Sequence, residues 1–258
     1  MNGRWWGLVL YPAALVAVFL GVQLLLGMGG VAPGQRAALA ALPAVAALLL
    51  SLPAWVRRRW RTEQPWRALG LAAAPRQALG AVAAGSGTAA VLLALVVAGL
   101  ALAGQLSWRQ AAPAPALLIN GLVLGAGVGF AEELLFRGWL LGELERLIGR
   151  GPAWLAQALV FSLVHLRTTL QPPQQAGLLG GLLLLGLALG QQRRGKGGLW
   201  GAIGLHGALV GGWFVISQGL VSVAAGAPVW LAGPANPIGG LLGWLGLAAL
   251  LVLRERRP

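Results

Sequence analysis

The chain is a succession of apolar runs about as long as a bilayer is thick, broken by short connections that hold most of its charge. A helix needs roughly 20 apolar residues to cross a hydrocarbon core of about 30 Å. Eight stretches reach or approach that length: 5–28, 37–56, 79–103, 114–142, 153–166, 176–190, 198–222 and 237–253. The fifth and sixth are short, which suits spans that are tilted, broken or shielded by neighbours. The pattern predicts an all-α fold: a polytopic transmembrane helical bundle of about eight spans, forming one integral membrane domain over residues 1–258. The first run, Trp5 to Met28, exceeds the 7–15-residue apolar core of a signal peptide and is expected to be a span.

Composition agrees with the pattern. Charged residues make up 10% of the chain and apolar residues 58%, with a mean hydropathy of +0.77. A soluble domain carries roughly 25% charged residues, so this chain could not cover a water-facing surface. Many of its 41 glycines fall inside spans, where small residues let helices approach closely. Gly181, Gly186 and Gly190 are expected packing positions of this kind, and the Gly85-Ser86-Gly87 triplet a packing kink. No internal repeat is visible.

The net charge of +13 would suggest nucleic acid in a soluble protein. Here the cations sit in inter-helix loops, where they read as topology signals and contacts to anionic lipid, so the lipid bilayer is the expected partner and nucleic acid is not. With the N-terminus and Arg4 in the cytoplasm, the inner side receives Arg57, Arg58, Arg59, Arg61, Arg67, Arg146, Arg150, Arg193, Arg194, Lys196, Arg254, Arg256 and Arg257. The outer side keeps Arg36, Arg109 and Arg167. Both termini are therefore expected to be cytoplasmic. Residues 57–78, with Trp60 and Trp66 among the arginines, suit an interfacial helix on the inner leaflet, a topology anchor more than a docking surface.

Against this background a few ionisable groups stand out. The chain has six acidic residues, no Asp, no Cys and two His. The absences exclude a thiol nucleophile, a Cys-bound zinc and a two-Asp intramembrane protease. Glu132 and Glu133 are adjacent in the apolar text Gly-Phe-Ala-Glu-Glu-Leu-Leu-Phe-Arg, and His165 and His206 also lie in apolar segments. Such groups cost about 2.5–3.5 kcal/mol each on insertion scales and mark function by default. Glu133 and Arg137 are four residues apart and can pair on one helical face. Glu132 points about 100° away and has no local partner, which suits a general base. Glu143 and Glu145, near the end of the same span, read as solvated. At a rise of about 1.5 Å per residue, Glu132, His206 and His165 lie roughly 15, 12 and 20 Å below the cytoplasmic ends of their helices, so all three can meet at one level. Glu, His and His from three helices make a site for activating water, by general base catalysis or by holding a divalent metal such as zinc. There is no His-Glu-x-x-His motif and no rhomboid-type Gly-x-Ser-Gly.

Glu132-Glu133-x-x-x-Arg137, then Phe161-x-x-x-His165, then His206 on a later span, resembles the CPBP family, the CAAX protease and bacteriocin-processing (Abi) intramembrane endopeptidases. The likeness covers roughly residues 115–222, the expected catalytic core. It implies that Glu132 and His165 activate the hydrolytic water, that Glu133 and Arg137 hold the geometry, and that His206 stabilises the oxyanion. The implied substrate is a membrane-associated protein or peptide. The family's third motif often reads His-x-x-x-Asn, or ends in Asp, whereas the fourth residue after His206 is Val210. Asn120 is three turns from Glu132, roughly 18 Å along its helix, so the second oxyanion donor is expected to be absent. Two other classes remain open: a catalytically impaired relative acting as a membrane scaffold or immunity protein, favoured by Val210, and a proton-coupled transporter, disfavoured by the lack of paired repeats.

Overall fold

The computed structural model describes residues 5–109, 114–195, 197–233 and 236–255, without the side chains of Arg254 and Glu255. Of the cations assigned above to the cytoplasmic side, Arg4, Lys196, Arg256 and Arg257 lie outside the described residues. The chain divides into two compact units, Met1–Ala68 and Leu69–Pro258.

The first unit is a helical hairpin. Helix α1 (Trp6–Met28) packs on α2 (Pro33–Trp60), and a single turn, α3 (Pro65–Ala68), follows. Tyr11 and Ser51 hydrogen-bond across the pair at 3.0 Å, and the Tyr11 ring lies 4.8 Å from that of Trp55. The expected interfacial helix over 57–78 is not one helix. Residues 57–60 are the last turn of α2, which Arg61 ends in the left-handed conformation at φ 51°. Beyond that turn, Gly70 at φ 92° and the prolines at positions 65 and 75 keep the connection from continuing as a helix.

The second unit carries the candidate site. Its helices are α4 (Pro75–Leu102), α5 (Pro115–Glu133), α6 (Leu141–Ile148), α7 (Arg150–Leu163), α8 (Pro172–Arg193), α9 (Leu199–Val215), α10 (Val229–Ala232) and α11 (Leu241–Glu255). Proline opens α4, α5 and α8, where its missing N–H is harmless and its fixed φ is already helical. Between α5 and α6 the chain stays helical but widens into a π-helical stretch, Leu134–Leu140, and a second one, Ile216–Leu220, ends α9. Two three-residue strands, β1 (Leu106–Trp108) and β2 (Val221–Val223), pair antiparallel with Leu106 opposite Val223.

Helix α9 is the axis of this unit. Its glycines meet glycines of both flanking helices, so that backbone packs on backbone. A Cβ at Gly207 would lie 2.6 Å from the Gly125 carbonyl oxygen of α5, and one at Gly85 of α4 would strike the Gly201 carbonyl. Ser86 donates to the Gly204 carbonyl at 3.3 Å, within an uninterrupted α4. Helices α7 and α8 are joined by polar side chains: Gln157 donates to Gly186 O, Trp154 to Leu187 O and Ser162 to Leu179 O, at 2.7–3.0 Å. Gly186 and Gly190 pack here against Ala158 and Trp154, as expected, and Gly181 packs against the Ile238 carbonyl.

Among the described residues six helical segments are long and apolar enough to cross a membrane: α1, α2, α4, the continuous Pro115–Ile148, α8 and Leu199–Leu220. The all-α expectation holds, whereas the count of about eight spans is not reached. At 14 and 15 residues, α7 and α11 are roughly 21 and 22 Å long, less than a hydrocarbon core. The sixth stretch proves longer than its hydropathy suggested, because the helix continues through glutamines at both ends.

Candidate active site

The five sequence candidates come together. Glu132 and Glu133 close α5, Arg137 lies in the π-helical stretch, and His165 follows α7 by two residues. His206 sits in the middle of α9. Glu133 is fully buried and accepts two hydrogen bonds at the same oxygen. Arg137 Nη1 donates to its Oε1 at 2.8 Å, and so does His206 Nδ1, also at 2.8 Å. Pairing with Arg137 was legible from the four-residue spacing. The bond to His206, 73 residues away, was not.

The second carboxylate behaves differently. Glu132 is 30% exposed, and its Oε2 has no hydrogen bond to protein. Two imidazole nitrogens face that oxygen: His165 Nε2 at 3.8 Å and His206 Nε2 at 4.0 Å. Both separations exceed a hydrogen bond. The partners that Glu132 lacks within its own helix thus come from two others.

Each imidazole is oriented through its other nitrogen. His165 Nδ1 donates to the Phe161 carbonyl at 2.7 Å, and His206 Nδ1 donates to the Glu133 carboxylate. A carbonyl or carboxylate can only accept, so Nδ1 carries the proton in both rings and each Nε2 presents its lone pair when the ring is neutral. Phe161 holds the group together. Its ring, fully buried, stands edge-on to His165 at 4.9 Å and to His206 at 5.8 Å, and the Arg137 guanidinium lies 4.0 Å from its centroid. It is a core aromatic, as expected, and also the plate against which three site residues are set.

The π-helical stretch begins directly after Glu133. Such stretches occur often at functional sites. Every residue from Leu134 to Leu140 except Leu135 is buried. Glu143 is buried too, which corrects its reading as solvated; α6 turns that face inward. Glu145 is partly exposed and pairs with Arg194 at 2.9 Å.

Glu132, His165 and His206 line a cavity of about 250 Å³ together with Val210, Arg167, Leu182 and Asn236. At roughly 30 Å³ per water, it has room for several waters or a short extended segment. Val210 does face this space, as the four-residue spacing from His206 implies. Asn236, from the loop before α11, also lines it, which corrects the expectation that no asparagine reaches the site. Among the described residues no group of three or more His, Asp or Glu is arranged to hold a metal ion.

Residues 113–211 match the family model described as Type II CAAX prenyl endopeptidase Rce1-like. The matched segment contains Glu132, Glu133, Arg137, Phe161, His165 and His206, and agrees with the resemblance to the CPBP intramembrane endopeptidases. That family is a protease family acting in membranes, and this chain has the apolar helices of an integral membrane protein. No curated protein matches the chain.

Proposed function

We propose that this protein is an intramembrane endopeptidase that hydrolyses a peptide bond of a membrane-associated protein or peptide, using water activated by Glu132 and His165. The observation that carries the reading is that the Nε2 atoms of both His165 and His206 lie 3.8–4.0 Å from Glu132 Oε2. Gaps of that size are what a bridging water spans.

Donation from His206 Nε2 requires a proton on both ring nitrogens, because Nδ1 already donates to Glu133. Glu133 sits against Nδ1 of that ring, where its carboxylate would balance the charge of the doubly protonated form. His206 Nε2–H then becomes a donor, while Glu132 and His165 remain acceptors. Attack of the water oxygen on the carbonyl carbon forms the new C–O bond and passes a water proton to Glu132. The oxyanion receives the His206 Nε2–H. Collapse breaks the C–N bond and returns the proton from Glu132 to the leaving amine. Water ends divided between the two products, and no covalent enzyme intermediate forms. The division of exposure fits these roles: Glu132, His165 and His206 line the cavity, whereas Glu133 is fully buried behind His206. The excess of cations in the loops favours a site entered from the cytoplasmic side.

The test compares protein N-termini in membranes of cells expressing wild type or Glu132→Gln at matched levels. Termini that vanish in the variant establish proteolysis and name substrates. General base catalysis contributes roughly 10²–10⁴ in rate, so cleavage should fall to background. Identical sets of termini, with candidate substrates present, would reject the mechanism and favour the scaffold reading that Val210 suggests.

A further inference from the structure

Val210 leaves the proposed oxyanion with one side-chain donor, His206. We propose that Asn236, from a different part of the chain, supplies the second: its side-chain amide donates to the oxyanion of the tetrahedral intermediate. This inference rests on the protease reading above.

Asn236 lines the cavity that holds Glu132, His165, His206 and Val210. Its side chain is already oriented. The Ile238 backbone N–H donates to Asn236 Oδ1 at 3.0 Å. A backbone N–H can only donate, so the oxygen must be the atom placed there, and the two hydrogens on Nδ2 are what this side chain can offer the cavity. A donor set in place before the reaction is the kind that stabilises developing negative charge best, because it need not reorganise.

The loop that carries Asn236 is fixed against α8. Ile238 is buried, and its carbonyl meets α8 where Gly181 has no Cβ; the Gly239 carbonyl meets Gly177 in the same way. Trp244 Nε1, from the first turn of α11, donates to the Gly177 carbonyl at 3.1 Å. Helix α8 in turn contributes Leu182 and Leu185 to the cavity wall. The loop is therefore held by the same helix that shapes the site. Beyond the five candidates and Asn236, the cavity is also lined by two donor-bearing side chains, Trp213 and Arg167. Arg167 is exposed, and among the described residues nothing hydrogen-bonds its guanidinium, so it is not set in place as Asn236 is. Residue 236 lies outside the segment that matches the family model.

The experiment measures kcat and KM on a fluorogenic peptide built on a cleavage site found by the terminus comparison, with Asn236→Ala and Asn236→Ser in the full-length protein. Serine can still accept the Ile238 N–H through its hydroxyl but has no amide to offer. Both variants should lose about 10²–10³ in kcat, the worth of one oxyanion donor, with KM and membrane yield near wild type, and Asn236→Ser, which keeps an acceptor for the Ile238 N–H, should also keep its Tm. A kcat for Asn236→Ala within about threefold of wild type, far short of the worth of such a donor, overturns the proposal. So does an Asn236→Ala defect that comes with a lower Tm and is restored by serine, since that is the signature of a loop anchor. Glu132→Gln is run beside them. If wild type and Glu132→Gln release the same termini, the protease reading falls and takes this one with it. If Glu132→Gln is dead and Asn236→Ala is fully active, only the asparagine proposal falls.

Discussion

Adjacent glutamates should respond oppositely to one substitution. Replacing either carboxylate by the isosteric amide changes charge and leaves shape almost intact. At Glu133 the side chain is fully buried, and one oxygen accepts from both Arg137 and His206 at 2.8 Å. A hydrogen bond to a charged group contributes about 1.5–3 kcal/mol and a neutral one about 0.5–1.5 kcal/mol, so two such bonds weaken by roughly 2–3 kcal/mol in total. Arg137 is then a buried cation without its counter-ion, a state that costs about 3–5 kcal/mol where buried pairs have been broken. A loss near 3 kcal/mol corresponds to a drop of about 6–12 °C in Tm for a chain of this size. Glu132 is 30% exposed and its Oε2, although buried, has no protein hydrogen bond to lose, so Glu132→Gln should cost clearly less stability than Glu133→Gln. Thermal unfolding of the two variants in one detergent or nanodisc preparation, followed by tryptophan fluorescence, reads the difference. Cleavage assayed on the same samples should show Glu132→Gln folded and inactive, and Glu133→Gln destabilised as well as impaired. Equal melting temperatures for the two variants would refute the division into a buried orienting carboxylate and a cavity-facing reactive one.

Further outcomes follow from the same geometry. Phe161→Leu removes the cation–π contact to Arg137, about 2 kcal/mol when desolvated, and the edge contacts to both imidazoles; Tm should fall by several degrees and kcat more than KM. Gly207→Val puts a Cβ 2.6 Å from the Gly125 carbonyl oxygen, so α5 and α9 must separate, and activity should be lost while Glu132→Gln placed on top changes nothing more. Gly181→Val should displace the Ile238 loop and lower kcat as Asn236→Ser does, with a loss of Tm that Asn236→Ser lacks. Val210→Asn, which places an amide on the cavity wall beside His206, should raise kcat of Asn236→Ala by at least about tenfold if one donor is worth 10²–10³; no gain would show that position 210 cannot reach the oxyanion here.

The sequence alone determined the class of fold and most of the site. Apolar runs of bilayer length can satisfy their backbone only as helices or closed barrels, and their length and lack of alternation select helices. Ionisable groups are so costly in such runs that Glu132, Glu133, His165 and His206 stood out, and the helical period placed Arg137 beside Glu133. Contacts between helices were not legible, because they depend on which backbones approach and how closely. The glycine contacts between α5 and α9 bring Glu133 to His206 and thereby decide which imidazole nitrogen faces Glu132. The inward turn of α6 buries Glu143, which its position near the end of a span made look solvated. Asn236 was invisible for the same reason: it follows His206 by a full helix and a strand, in a loop with no hydropathy contrast. Only its packing on Gly177 and Gly181 of α8 brings it to the cavity. Local period and desolvation cost are written along the chain, whereas the meeting of distant side chains is settled by backbone packing that no single segment encodes.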